Sequence, residues 1–238
     1  MIEIRNLNKI FGVNPVLRSL DLDVARGEFL ALFGPNGSGK STLLRILAAL
    51  ARPTSGTVRI GGWELPAEAA HVRAQLGVVS HLPLLYETLT AEENLLFFAR
   101  LYDLPVAERA DRVRAMLDRV GLARRAGDVV RTFSRGMQQR LAIARAILHD
   151  PAILLLDEPY TGLDQDAAAL LDELLREVAL AGRTAVMTTH DLRRGHQLAS
   201  RIAILSRGKI AYDASTDAVS SEALPTLYAD VTGAVTNR

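Results

Sequence analysis

The chain has 238 residues, 49% apolar and 23% charged, enough to bury a substantial core in one large domain or two small ones. A formal net charge of +1, with no run of basic residues longer than Arg124-Arg125 or Arg193-Arg194, argues against DNA or RNA as the main partner. The absence of cysteine excludes disulfides, thiolate nucleophiles and Cys-ligated metals together, and fits a reducing compartment.

Met1-Ile2-Glu3-Ile4-Arg5 opens an alternating strand pattern and not a basic stretch followed by an apolar one, so no secretion signal is expected. Ile2 to Asn6, a turn around Gly12 to Pro15, and then Val16, Leu20, Leu22 and Val24 predict antiparallel strands. Phe29 to Phe33 is a continuous apolar run, the pattern of a strand buried on both faces. It leads through a Gly-rich loop into a helix expected from Lys40 to Ala51, with Pro53 beyond it. Further strands are expected at Thr57 to Ile60, Leu76 to Ser80, Ala152 to Leu156, Arg183 to Thr188 and Arg201 to Leu205, with a helix from about Asp166 to Leu180.

Between His81 and Asp150 the pattern becomes helical. Thr90 and Glu93 form a capping box ahead of Leu95 to Tyr102, Pro105 interrupts, and periodicity resumes from Val106 to Val120. The tail from Asp213 offers at most one helix, and no appended regulatory domain is expected. The fold class is therefore α/β: a mostly parallel core sheet, an N-terminal antiparallel β subdomain, and an inserted α-helical subdomain. Residues 1–81 and 150–238 are expected to form the core and 82–149 the helical insertion. The longest apolar stretches, such as Phe29 to Phe33 and Ile153 to Leu156, fall far short of the roughly 20 residues that cross a bilayer, so a soluble chain is expected.

Gly34-Pro35-Asn36-Gly37-Ser38-Gly39-Lys40-Ser41 has the G-x-x-x-x-G-K-[ST] spacing, between a buried strand and a helix. Such a loop wraps phosphates in backbone N–H groups, and the helix N-terminus adds partial positive charge. Lys40 can bridge the β- and γ-phosphates, Ser41 can hold Mg²⁺ through its hydroxyl, and Thr42 is taken with the loop as a nucleotide contact. Lysine is scarce: Lys9, Lys40 and Lys209 are the only three, and Arg's planar fork would not replace a compact ammonium here. The second buried strand ends in Asp157-Glu158, on the side of an open α/β sheet where ligands gather. Asp157 would bind Mg²⁺ directly or through water. Glu158, expected to be held extended by Pro159, is the candidate for polarising the attacking water.

Phe133-Ser134-Arg135-Gly136-Met137-Gln138 precedes a strongly helical run, Gln139 to Leu148. Here the chain resembles the ATP-binding cassette (ABC) family of P-loop NTPases, whose signature has the form Leu-Ser-Gly-Gly-Gln. Ser134, Gly136 and Gln138 match it, and Phe133 and Arg135 do not. Ser134 also reads as an ordinary helix N-cap. Thr161-Gly162-Leu163-Asp164 is similar to the family's D-loop, and His190 to the switch histidine that contacts the γ-phosphate. Phe11 resembles the aromatic that stacks on adenine, although an aromatic near a strand end also reads as core.

The resemblance implies Mg²⁺ and ATP as ligands, an ATPase activity, and a head-to-tail dimer in which Ser134 acts on the ATP of a second ABC subunit. It also implies a separate membrane-spanning transporter subunit, with the chain peripheral on the cytoplasmic face of the membrane. The apolar loop His81-Leu82-Pro83-Leu84-Leu85-Tyr86 is the expected docking surface, or else fills the core of the helical insertion. The family usually has Gln where this chain has His81, which here could contact water near Mg²⁺. That histidine, with Leu89-Thr90-Ala91-Glu92-Glu93-Asn94-Leu95, is similar to the ATP-binding subunits of haem exporters in cytochrome c maturation, the CcmA family. Such a subunit would imply a membrane partner of the CcmB kind. A generic exporter subunit for drugs, lipids or polysaccharides shares every ATP motif. A soluble ABC ATPase without a transporter and a P-loop kinase are the remaining alternatives. His71, His149 and His196 lack metal-ligand spacing and are expected to be packing or surface residues.

Overall fold

The computed structural model describes residues 1–80 and 83–233. Strands β1 (Ile2–Phe11) and β2 (Asn14–Val24) pair antiparallel around the turn at Gly12-Val13. Their apolar residues alternate inward, with Ile2, Ile4, Leu20, Leu22 and Val24 buried and Glu3, Arg5, Asp21 and Asp23 exposed. The register slips near Asn6 and Ser19, both at positive φ. Their amides leave the ladder for side-chain acceptors, Asp21 Oδ1 and Asn8 Oδ1, each at 2.8 Å.

Between these strands and the rest of their sheet the chain enters β3 (Phe29–Phe33) and helix α1 (Lys40–Leu47). It then returns as β4 (Ser55–Ile60) and β5 (Trp63–Leu65), completing an antiparallel sheet of order β2-β1-β4-β5. Helix α1 is shorter than the expected Lys40 to Ala51. Ala49 takes a φ of 56°, and the amides of Leu50 and Ala51 fold back onto the Arg45 carbonyl in a left-handed closing turn.

Helix α2 (Ala69–Ala74) leads into β6 (Leu76–Val79). After the helical stretch come β7 (Ile153–Asp157), β8 (Thr184–Thr188), β9 (Arg201–Ser206) and β10 (Lys209–Ser215). With β3 they form a second sheet of order β10-β9-β3-β8-β7-β6, parallel except for β10 at its edge. Every residue of β3, β7 and β8 is buried because both faces are covered. Alternation divides the burial into two cores. Leu30, Leu32, Leu155 and Val186 face α1 and the antiparallel sheet, while Phe29, Phe33, Leu154, Leu156 and Met187 face the helices.

Among those helices are α3 (Ala91–Leu101), α4 (Arg109–Arg119) and α5 (Arg135–Ile147), with no strand among residues 91–147. The expected capping box is complete: Thr90 Oγ1 accepts from Glu93 N at 3.1 Å, and Glu93 Oε2 accepts from Thr90 N at 2.8 Å. Helix α4 starts later than Val106, because Pro105 accepts from Glu108 N in a separate turn. Helix α5 starts earlier than Gln139: Ser134 caps it, so Arg135, Gly136 and Gln138 lie in its first turn and not ahead of it.

The remaining helices are α6 (Gln165–Leu180), α7 (Leu192–Leu198) and α8 (Leu224–Thr232). The short elements β5, α2 and α7 carry too few periodic residues to be foreseen from pattern alone, and the edge strand β10, none of whose residues is fully buried, is not among the expected strands either. Among the described residues, no helix is long and apolar enough to cross a membrane.

Candidate functional site

In the strand order β3-β8-β7, the loops that follow three parallel strands open at one edge of the sheet. Thr188 of β8 stands in register with Leu32 of β3 and with Asp157 of β7. The phosphate-loop pattern, the Asp157-Glu158 pair and His190 are therefore gathered by topology although they lie far apart in sequence. This is the carboxyl edge of an open α/β sheet, where a crevice for ligands forms.

The loop from Gly34 to Gly39 is folded tightly over the end of β3. A Cβ on Gly34, whose φ is 153°, would collide with the Leu205 carbonyl and the Ser38 hydroxyl, so only glycine permits this path. Lys40, 9% exposed, donates from Nζ to the carbonyls of Gly34 at 2.6 Å and Pro35 at 3.2 Å. Burial lowers its pKa, with Glu158 and Asp157 opposing that shift. Ser38 Oγ is buried without a hydrogen-bond partner, an orphaned donor in the loop itself.

Ser41 Oγ donates to Asp157 Oδ1 at 3.2 Å, and the same oxygen accepts from Thr188 Oγ1 at 2.7 Å. Thr188, fully buried, also accepts the Glu158 amide through Oγ1 and through its carbonyl, each at 3.1 Å. Glu158 is not extended as Pro159 led us to expect: its φ is 50°, in the left-handed region. Two contacts outweigh the local preference, the anchored amide and a carboxylate whose Oε2 lies 2.9 Å from His190 Nδ1. The His190 side chain is 81% exposed, so one side of the pair faces open space.

A hydroxyl and a carboxylate in contact offer hard oxygen donors of the kind Mg²⁺ takes, with phosphate oxygens completing its shell. Ser41 and Asp157 could hold the ion, and the orphaned Ser38 hydroxyl, Lys40 and the loop amides could hold a polyphosphate. The residues present thus fit Mg-ATP. Among the described residues, no group of three or more His, Cys, Asp or Glu side chains could hold a metal by themselves. Phe11 is exposed, so it is not core, and the Lys9 ammonium lies 4.7 Å from its ring centre.

The signature-like residues stand elsewhere. Ser134 Oγ accepts from Met137 N at 3.2 Å as the N-cap of α5, and Gln138 Nε2 reaches the Val130 carbonyl at 3.5 Å. Among the described residues, no hydrogen bond joins Ser134, Gly136 or Gln138 to the loop 34–41. Their neighbour is the D-loop-like turn: Arg135 packs over Gly162, which has no Cβ and takes a φ of 81°, and Gly136 faces the Gly162 carbonyl. Gln139 Nε2 donates to the Pro159 carbonyl at 2.9 Å and ties α5 to the same turn. Thr188 and Gln139 escaped sequence reasoning; a polar Thr188-Thr189 pair closing an otherwise apolar strand was the available signal for the first.

A sequence model of the family described as ABC transporter matches residues 17–161. The chain belongs to the ABC transporter family. It is 38% identical over 223 residues to Nod factor export ATP-binding protein I of Cupriavidus metallidurans, covering 93% of this chain and 74% of that protein. It is 34% identical over 221 residues to the linearmycin resistance ATP-binding protein LnrL of Bacillus subtilis, covering 92% and 71% respectively. A solved dimeric ATP-binding cassette in a post-hydrolysis state with ADP and Pi superposes with a TM-score of 0.84 at 31% identity, over 91% of this chain and 99% of that one. The chain is thus an ABC-type ATPase subunit with the cassette fold.

His81, the residue behind the haem-exporter resemblance, and Leu82 lie outside the described residues. In the rest of that loop, Leu85 packs on the core while Leu84 and Tyr86 are half exposed. Asn94, fully buried, pins the loop by bonding Tyr86 through both its oxygen and its amide. Beside the loop runs a groove of about 550 Å³ lined by Leu50, Arg73, Leu84, Leu101, Tyr102 and His149, among others. Burial holds the His149 imidazole neutral, with its pKa down to about 4, and its ring stacks on Tyr102 at 3.8 Å.

Proposed function

We propose that this chain is the motor subunit of an ABC exporter, in which two copies close head to tail around two Mg-ATP and drive a separate membrane-spanning subunit. The observation that carries the catalytic half is the meeting of Lys40, Ser41, Asp157, Glu158 and His190 at the carboxyl edge of one sheet. Loop amides from Gly34 to Lys40, with Asn36, Gly37 and Ser38, would hold the phosphates, Thr42 would continue that contact, and Phe11 would stack on adenine. Bound Mg²⁺, held by Ser41 and Asp157, would offset phosphate charge. Glu158 would take the proton of the attacking water, and His190 would hold that carboxylate and contact the γ-phosphate. Lys40 would exchange its two carbonyl contacts for phosphate oxygens. The signature residues Ser134, Gly136 and Gln138, turned away from their own loop, would complete the site of the facing copy. Residues 82–149 would act as the helical subdomain that carries them there.

The groove beside Leu84, Leu101 and Tyr102 would receive an apolar segment of the membrane subunit, placing the chain on the cytoplasmic face of the membrane. The relatives, one named for Nod factor export and one for linearmycin resistance, support an exporter of cargo other than haem. Haem export with a CcmB-like partner keeps His81 alone in its favour. Purification of the tagged chain with its membrane partner, and a visible spectrum, separates the two: a haem Soret band would restore the second reading.

Replacing Glu158 by Gln is expected to leave ATP binding intact, prolong the ATP-bound dimer in size-exclusion chromatography, and lower steady-state turnover by about 10²–10⁴-fold. Near-normal turnover in that variant would remove Glu158 from the base role.

A further inference from the structure

Three side chains outside every motif converge beside the Glu158–His190 pair. Tyr160 lies just beyond Glu158, Arg194 lies one turn into α7 beyond His190, and Asp172 projects from α6 between them. The Tyr160 hydroxyl donates to Asp172 Oδ1 at 2.6 Å. Arg194 Nε lies 3.3 Å from the same oxygen, and its guanidinium carbon lies 4.4 Å from the centre of the Tyr160 ring. The Asp172 side chain is 16% exposed and that of Arg194 31%, so this is a partly desolvated cluster in which each polar group has its partner. Burial, then the Asp172 contact, raises the Tyr160 phenol above its ordinary range, which keeps it a donor.

The location of the cluster gives it a consequence. Glu158 holds a left-handed backbone that a non-glycine residue keeps only where its surroundings over-determine it. The surroundings here do so residue by residue. Thr188 fixes the Glu158 amide, Gln139 fixes the Pro159 carbonyl, and Asp172 with Arg194 fixes the Tyr160 side chain. His190 has less support, since among the described residues its ring hydrogen-bonds only to Glu158. Its position depends on where α7 begins. Gly195 and Leu198 seat that helix on the sheet, Gly195 so close to Phe33 that a Cβ would collide with the ring. Arg194 is the side chain that ties the same helix to the loop carrying Glu158.

We propose that Tyr160, Asp172 and Arg194 form a positioning clamp that locks the Glu158 loop to α7 and thereby sets the Glu158–His190 geometry on which turnover depends. The proposal rests on the reading of Glu158 and His190 given above. None of the three is among the residues assigned above to the nucleotide; each acts through the pair. Misplacing a reacting group by about 1 Å can lower a rate by about 10²-fold, so a loosened clamp is expected to act on kcat and not on ATP binding.

The test is steady-state ATPase kinetics of the full chain carrying Arg194→Gln, Arg194→Lys or Tyr160→Phe, with ATP affinity measured separately by equilibrium titration. For Arg194→Gln, kcat is expected to fall about tenfold while KM and the ATP dissociation constant stay within about twofold. Arg194→Lys keeps the charge and stem and is expected to recover part of the loss. Tyr160→Phe keeps the ring under the guanidinium and is expected to lose about threefold in kcat. In a His190→Ala background, Arg194→Gln is expected to have a smaller effect, because one member of the pair the clamp positions is then missing. The clamp is overturned if Arg194→Gln and Tyr160→Phe both leave kcat within about twofold of the parent, or if kcat and ATP affinity fall together. It is overturned equally if Arg194→Gln costs the same with and without His190. Failure of the underlying reading looks different: Glu158→Gln would then turn over normally whatever Arg194 does.

Discussion

The edge of the parallel sheet and the first turn of α5 both carry family motifs, yet they are built in opposite ways. At the sheet edge, Lys40, Asp157 and Thr188 are buried, Lys40 is bonded to its own loop, and Ser41, Asp157 and Thr188 are joined through Asp157 Oδ1. At α5, Ser134 and Arg135 are exposed, and among the described residues Ser134's side chain bonds only within its own helix. The first region is a nearly finished cradle whose spare capacity is specific, an orphaned Ser38 hydroxyl and a lysine resting on two carbonyls. The second has donors and no object among the described residues. A site split this way ties catalysis to association, because electrostatic stabilisation of a γ-phosphate requires donors on every side.

Substitutions on the two sides should therefore fail differently. Lys40→Ala is expected to have the largest effect, weakening ATP binding to the isolated chain and lowering turnover by about 10³-fold or more. Gly136→Asp introduces an anion at the first turn of α5 and is expected to lower turnover by about 10²-fold. Its ATP affinity, measured by titration at a concentration where the chain is monomeric, should match that of the parent. Equal loss of nucleotide affinity in both variants would break the comparison, since the signature would then serve its own phosphate loop.

The sheet edge was largely legible in the sequence for the same reason that it is rigid. Continuous apolar runs such as Phe29 to Phe33 mark strands buried on both faces, and contiguous motifs at their ends place Lys40, Ser41, Asp157 and Glu158 along one edge. Contacts between distant segments were not legible. Thr188, Gln139, Tyr160, Asp172 and Arg194 make interactions that neither periodicity nor spacing announces. The Glu158 backbone was misread because a rule about the residue before proline is local, whereas its amide and carboxylate are held by β8 and the residues just after it. The short elements β5 and α7, which lack a continuous apolar run, are decided by packing and not by pattern.

A smaller effect is expected at the hinge between strand and carboxylates. Thr188→Val keeps the shape but removes a buried hydroxyl that donates to Asp157 at 2.7 Å and accepts from Glu158 N at 3.1 Å. A hydrogen bond to a charged group contributes about 1.5–3 kcal/mol, so chemical denaturation should show a loss near the lower end, the Glu158 amide retaining the Thr188 carbonyl. Turnover should fall about tenfold as the two carboxylates lose their common support. Unchanged kinetics with reduced stability would make Thr188 a packing residue and leave the cradle simpler than its bonding suggests.

The smallest change bears on the exposed side, where Ser134 has one visible duty. As N-cap of α5 it accepts from Met137 N, and Ser134→Ala is expected to lower stability by about 1 kcal/mol. Capping and phosphate donation separate in Ser134→Asp. Aspartate caps as well as serine and interacts well with the positive end of a helix, so the melting temperature should return to that of the parent or exceed it. The same carboxylate would repel an incoming phosphate and has no proton to donate near neutral pH, so turnover should fall below that of Ser134→Ala. If aspartate restored turnover along with stability, the hydroxyl would be a cap alone, and only the backbone amides at the start of α5 would be left to reach the ATP of a facing copy.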